Sequence, residues 1–133
     1  GLVLLGDGAG NFSAVSPASS GFHVGGDGKA LASLVTADGA LLFIATQNRD
    51  SLRVFQSVQQ ENARWFTPQP TDVRVILEEQ NGTKRTMELY HGSGYLSQST
   101  RKVRIPSGMA KVSVVDSRGN ERQLGEDMAT TSK

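Results

Sequence analysis

Leu4-Leu5-Gly6-Asp7-Gly8-Ala9-Gly10-Asn11-Phe12 sets glycines and one acid between an apolar run and an aromatic residue. Glycine reaches positive φ without steric cost, so the stretch reads as a tight, strained turn joining two β-segments. An apolar run over residues 2–5 enters the turn. Residues 13–29 read as a loop rich in Ser, Gly and Pro, with Ser16-Pro17-Ala18-Ser19-Ser20-Gly21 and Gly25-Gly26-Asp27-Gly28 as its signals.

Three apolar runs follow at short spacing, over residues 31–35, 41–46 and 52–55. Asp38-Gly39 separates the first two, and aspartate then glycine between apolar runs signals a hairpin. Asn48-Arg49-Asp50, between the second and third, also has turn composition. The pattern predicts an antiparallel meander, with Trp65-Phe66 as a fourth strand before the break at Pro68 and Pro70. The second half opens at Thr71. Val73, Val75 and Leu77 alternate with Arg74 and Glu78, which puts one face in a core. Asn81-Gly82 turns the chain, and residues 85–90 return with Met87 and Leu89 on one face. Short runs at 103–105, 112–115 and 121–124 complete the pattern, the last two flanking the turn Ser117-Arg118-Gly119-Asn120. No segment sustains a helical apolar stripe over three turns, and residues 57–64 offer only a turn or so of helix. The expected fold class is all-β. A propeller-blade-like antiparallel meander covers residues 1–66, a small antiparallel β module covers 71–124, and a frayed polar tail covers 125–133.

Composition narrows the function classes. A chain of 133 residues buries roughly two-thirds of its unfolded surface, so it can own a core. Its 14 basic and 13 acidic residues nearly cancel, which makes no electrostatic case for nucleic acid or an anionic membrane. The basic cluster Arg101-Lys102-Val103-Arg104 reads as the solvent face of a strand. The absence of cysteine excludes a disulfide, a thiolate metal site and a cysteine nucleophile. No apolar run approaches the ~20 residues that span a bilayer. No signal peptide opens the sequence, so export would place that signal upstream.

The glycine turn and the meander together resemble the FG-GAP, or VCBS-type, repeat of extracellular β-propellers. Gly28-Lys29-Ala30-Leu31-Ala32 through Leu52-Arg53-Val54-Phe55 is similar to one blade, and the opening turn to the tail of a preceding one. In that family an Asp-x-Asp/Asn-x-Asp-Gly-x-x-Asp loop between the first two strands holds calcium. Aligned on Asp38-Gly39, only the third acid remains. Leu34, Thr36 and Leu42 occupy the other acidic positions. One carboxylate and one hydroxyl fall short of the six to eight oxygens that calcium takes. Asp38 is therefore the metal candidate of this loop, a plain turn is the expected reading, and no cofactor is expected.

His91-Gly92-Ser93-Gly94-Tyr95-Leu96-Ser97-Gln98-Ser99 resembles the UnbV/ASPIC-type domain that follows such repeats. Residues 112–120 fit that domain's later strand and turn, while residues 101–107 lack its Phe-Gly-Leu-Gly segment. The two resemblances imply a non-enzymatic exported binding or scaffolding module from the C-terminal end of a larger repeat protein. Its partners would be upstream repeats of the same polypeptide and a protein or glycan. Its location would be secreted, periplasmic or cell-surface, with a part in adhesion. The alternatives are an accessory domain of a secreted carbohydrate-active or hydrolytic enzyme, and a structural cap of a β-propeller.

Residue chemistry adds little toward catalysis. Gly92-Ser93-Gly94 is not the Gly-x-Ser-x-Gly elbow, and the hydroxyls near His91 read as turn groups satisfying local backbone. His23 and His91 without a carboxylate pair make a poor zinc site. Asp7 and Asp27 read as turn residues. Glu78 and Glu79 point to opposite sides of a strand end. Among the aromatics Tyr95 is the candidate partner-facing residue, with Trp65, Ser97 and Gln98 beside it as ligand or partner candidates. Trp65 and Phe66 also suit a plug between the two modules.

Overall fold

The structure, a computed structural model, describes residues 1–58, 64–94 and 97–125. In chain order the elements are β1 (Val3–Gly6), β2 (Phe12–Val15), α1 (Pro17–Ser20), β3 (Gly28–Val35), β4 (Leu41–Gln47), β5 (Asp50–Gln56), β6 (Arg64–Phe66), β7 (Asp72–Glu79), β8 (Lys84–Glu88), β9 (Val103–Ile105), β10 (Met109–Asp116) and β11 (Glu121–Gln123). The protein is all-β, as the alternation and turn chemistry indicate. The described strands pair antiparallel into four sheets, ordered β1-β2, β3-β4-β5, β6-β9 and β11-β10-β7-β8.

Four hairpins share one loop. The backbone N–H of Asp7, Thr36, Glu79 and Asp116 donates to the carbonyl of Asn11, Ala40, Thr83 and Asn120, at 3.1, 2.9, 2.9 and 3.0 Å. Three residues lie inside each closing pair. The last of them is a glycine at positive φ: Gly10 at 93°, Gly39 and Gly82 at 84°, Gly119 at 86°. This is the three-residue hairpin loop whose final position is left-handed. Asp7 and Asp116 finish it identically. Each carboxylate accepts two backbone N–H groups, and each also accepts the side-chain amide of the asparagine four residues on, at 2.7 Å for Asn11 and 2.9 Å for Asn120. At Thr36 a hydroxyl takes the acceptor's place and receives the Ala40 N–H at 2.9 Å.

Three local expectations change. Trp65-Phe66 forms a strand, but it pairs with β9, Trp65 opposite Arg104 and Phe66 opposite Val103, and not with β5. The stretch read as loop contains α1, a single turn capped by the Ser16 hydroxyl, begun by Pro17 and closed by Gly21 at φ 68°. Val73 is exposed, although it was expected beside Val75 on the core face. A register shift between Val115 and Asp116 turns Asp72 inward in its place. The helical turn expected over residues 57–64 falls largely on residues 59–63, outside the described residues.

The core lies in the second half. Phe66, Val75, Leu77, Leu89, Val103, Ile105, Val112 and Val114 form one buried cluster. Val75 and Val114, both fully buried, are cross-strand partners on β7 and β10. Each is worth about 1.5–3 kcal/mol of transfer free energy. Met87 faces Val75 from the edge strand β8 and stays half exposed. Before β6, the described buried apolar residues are only Val24, Ala40 and Ala45. The halves meet through named contacts. The Trp65 indole donates to the Gly39 carbonyl at 3.0 Å. Ser33 donates its N–H to the Ser99 hydroxyl at 3.0 Å and accepts the Thr100 N–H at 2.6 Å.

Candidate functional site

Leu41-Leu42-Phe43-Ile44-Ala45 on β4 is a continuous apolar run, the pattern of a strand covered on both faces. Pairing fixes what each face carries. Leu34, Leu42 and Gln56 share one face with Ala32, Ile44 and Val54, and period two adds Ala30, Thr46 and Leu52. None of those nine side chains is charged. Leu34, Leu52 and Val54 on this face are 39%, 55% and 54% exposed. The opposite face carries Leu31, Phe43 and Phe55, which line a groove of about 900 Å³ together with Leu2, Leu5 and Val15 and, at the β5 edge, Val54 and Gln56. Phe22 packs on Phe55 there, ring centroids 4.5 Å apart. Leucine and valine open to water on one sheet face differ from scattered single apolar residues, which makes this face the candidate site.

Asp38 sits at the tip of the β3–β4 loop. Its carboxylate accepts the Thr36 hydroxyl, and this bond foremost holds its carboxyl below the ordinary value. Leu34 and Leu42 are cross-strand partners in the sheet below. The oxygens of this loop are therefore engaged in closing the turn, and the positions where a calcium loop carries acids pack against each other. Among the described residues no three His, Cys, Asp or Glu side chains converge in a metal-holding group. Asp7 is held in its own turn by Asn11 and two backbone N–H groups, and Asp27 lies 2.7 Å from Lys29.

Trp65 is half-buried and its indole N–H is already bonded to Gly39. It links the β3–β4 loop to β6, while Phe66 belongs to the buried cluster built on β7, β9 and β10. Tyr95 lies outside the described residues. Around it, Gly94 and Ser97 exchange backbone hydrogen bonds at 3.2 and 3.4 Å. The Gln98 side chain accepts the Gly92 N–H and donates to the Ser99 carbonyl at 2.7 Å. The Ser93 hydroxyl accepts the Ser99 N–H at 3.2 Å. His91 donates to the Pro70 carbonyl at 3.3 Å. A Cβ on Gly94 would collide with the Ser97 hydroxyl, so the glycine makes room for that side chain. The polar groups of this run close their own loop. Glu78 pairs with Lys84 at 3.4 Å and Glu79 with Arg85, two separate cross-strand ion pairs.

Sequence reasoning passed over the most buried charge of the described chain. Asp72 is 1% exposed and meets Arg122 through two bonds of 2.6 Å. The Gln69 N–H donates to the same carboxylate at 2.7 Å, and Arg101 donates to the Asp72 carbonyl at 2.6 Å. Arg122 foremost holds the Asp72 carboxyl below its ordinary value, and Asp72 holds the guanidinium above its own. A separation of 50 residues left no local signal for the pair. The exposed face of β3-β4-β5 had one: the unbroken apolar run of β4.

No family model matches this chain, and no curated protein or solved structure matches it.

Proposed function

We propose that this chain is a non-enzymatic, exported binding or scaffolding module that makes protein contacts through its first half. The observation that carries this reading is the uncharged, solvent-facing side of β3-β4-β5, with Leu34, Leu52 and Val54 exposed. A sheet-packing partner supplies what this half lacks, because two sheets bury their apolar faces about 10 Å apart. Upstream β repeats of the same polypeptide suit that place, in keeping with the resemblance to an FG-GAP/VCBS blade followed by a UnbV/ASPIC-type domain. Protein is favoured over glycan because the Trp65 indole N–H is already bonded to Gly39 rather than open to a sugar. The same uncovered face favours, as a second reading, a structural cap on a β-propeller.

The test uses the dye 1-anilinonaphthalene-8-sulfonate as a probe of uncovered apolar surface. The native chain is expected to enhance its emission, and the combined variant Leu34→Lys, Leu52→Lys is expected to lower that enhancement several-fold with unchanged far-UV circular dichroism. Equal emission from both proteins overturns the reading.

A further inference from the structure

The edges of the sheets are protected unequally. β8, an edge of the four-stranded sheet, carries Lys84, Arg85 and Glu88, and β11, the other edge, is three residues long. β3 is covered at Ser33 by Ser99 and Thr100. Charge, shortness and covering are the usual defences of a strand edge. Among the outer strands of the three- and four-stranded sheets, β5 has least of these. It runs for seven residues, carries a single charge between Leu52 and Gln56, and contains no proline. Among the described residues no strand pairs with its outer side.

The Ser57 N–H donates to the Leu41 carbonyl. Alternation then turns the backbone of Arg53 and Phe55 toward β4 and that of Leu52, Val54 and Gln56 outward. These three outward residues are symmetric about Val54. We propose that the chain pairs with a second copy of itself by antiparallel β5–β5 addition about a two-fold axis at Val54, making one six-stranded sheet. The proposal rests on the first half being a contact surface, as argued above, and names its occupant.

Side-chain chemistry selects the register. An axis at Arg53 sets two guanidinium groups directly opposite, which is unfavourable. An axis at Leu52 sets Val54 opposite Asp50 of the copy. An axis at Phe55 sets Phe55 against itself, although that ring already packs on Phe22. An axis at Val54 sets Val54 against Val54, Leu52 against Gln56, and Arg53 beside an aromatic ring, where a guanidinium is favoured. Leu52, Val54 and Gln56 lie on the uncharged face, so that face runs on across the junction without meeting like charge.

The chain has no cysteine, so single-cysteine variants report the register without background. Paired Val54 residues would have Cα atoms about 5.5 Å apart, within disulfide reach, and paired Arg53 residues would lie beyond the about 7 Å limit. Sedimentation equilibrium of the wild-type chain at micromolar concentration is expected to give twice the chain mass. Val54→Cys is expected to form a disulfide-linked dimer under mild oxidation, whereas Arg53→Cys remains unlinked. Val54→Pro removes an outward N–H and Val54→Lys adds a charge, and both are expected to halve the mass with unchanged circular dichroism. A monomeric wild-type chain, or Arg53→Cys linking as fast as Val54→Cys, overturns the pairing. A monomer whose dye enhancement still depends on Leu34 and Leu52 overturns the pairing alone and leaves the contact surface standing.

Discussion

Arg122 reaches Asp72 with both arms of its guanidinium, at 2.6 Å each, and the flat fork matches a carboxylate. Arg122→Met would leave the buried carboxylate with the Gln69 N–H still donating to it but without the guanidinium. The expected loss is about 2–3 kcal/mol, toward the low end for a buried pair because Arg122 itself is partly exposed. Urea denaturation measures it, and Arg122→Lys is expected to recover only part, since an ammonium cannot bond in parallel. The same pair sets an acid limit. The Asp72 carboxyl titrates below its ordinary 3.8 in the folded chain, so its contribution is complete above that pH and drains away as the pH falls through the folded value. The urea midpoint is expected to drop on going from about pH 5 to about pH 2, and to drop less in Asp72→Asn. None of this was legible in the sequence, where 50 residues separate Asp72 from Arg122 and no local pattern ties them. Asp38 was legible, because its partners Thr36 and Ala40 are its near neighbours in sequence.

Turns are where local chemistry speaks most plainly. Gly10, Gly82 and Gly119 hold positive φ with nothing within 4 Å of where a Cβ would stand, so alanine there meets dihedral strain alone. Gly119→Ala is expected to cost about 1–2 kcal/mol, read as a lower melting temperature. The converse applies at Arg49, the described non-glycine residue at positive φ, 55°, in the β4–β5 turn. Arg49→Gly removes that strain and adds unfolded-state freedom, for an expected net gain of about 0.5–1 kcal/mol. Strand positions were readable because Asp38-Gly39, Asn81-Gly82 and Ser117-Arg118-Gly119-Asn120 fall between apolar runs. The partner of β6 was not. Phe66 and Val103 lie 37 positions apart in the chain, and only the core cluster that both join selects the pairing. α1 was missed because Ser16, Pro17 and Gly21 read equally as a loop when no apolar stripe follows them.

The whole molecule is lopsided. The second half encloses a cluster of eight buried apolar residues, whereas the first exposes Leu31, Leu34, Leu52 and Val54 on its central sheet. Amide hydrogen exchange is therefore expected to be slowest at Val75 and at residues 112–115, and faster by at least tenfold at residues 31–34 and 52–56. Trp65 couples the halves and is the only tryptophan. Trp65→Phe leaves the Gly39 carbonyl without the indole N–H, and about 1 kcal/mol of stability is expected to go with it, measured by circular dichroism in urea. The all-β class and the meander were legible because period two and turn residues repeat along the whole chain. The uneven core was not, since Leu31 and Leu77 look alike until their neighbours are known.

The cover over β3 carries a consequence for synthesis. Ser33 waits for Ser99, 66 residues later in the chain. At ribosomal speed that interval is roughly 3–13 s, longer by orders of magnitude than a hairpin needs to form. During translation the newborn meander thus has two bare sides, β3 and β5, and one of them closes only when the loop around residue 99 emerges. A nascent chain stalled before that point is the form most open to capture by a chaperone or by a neighbour on the same message.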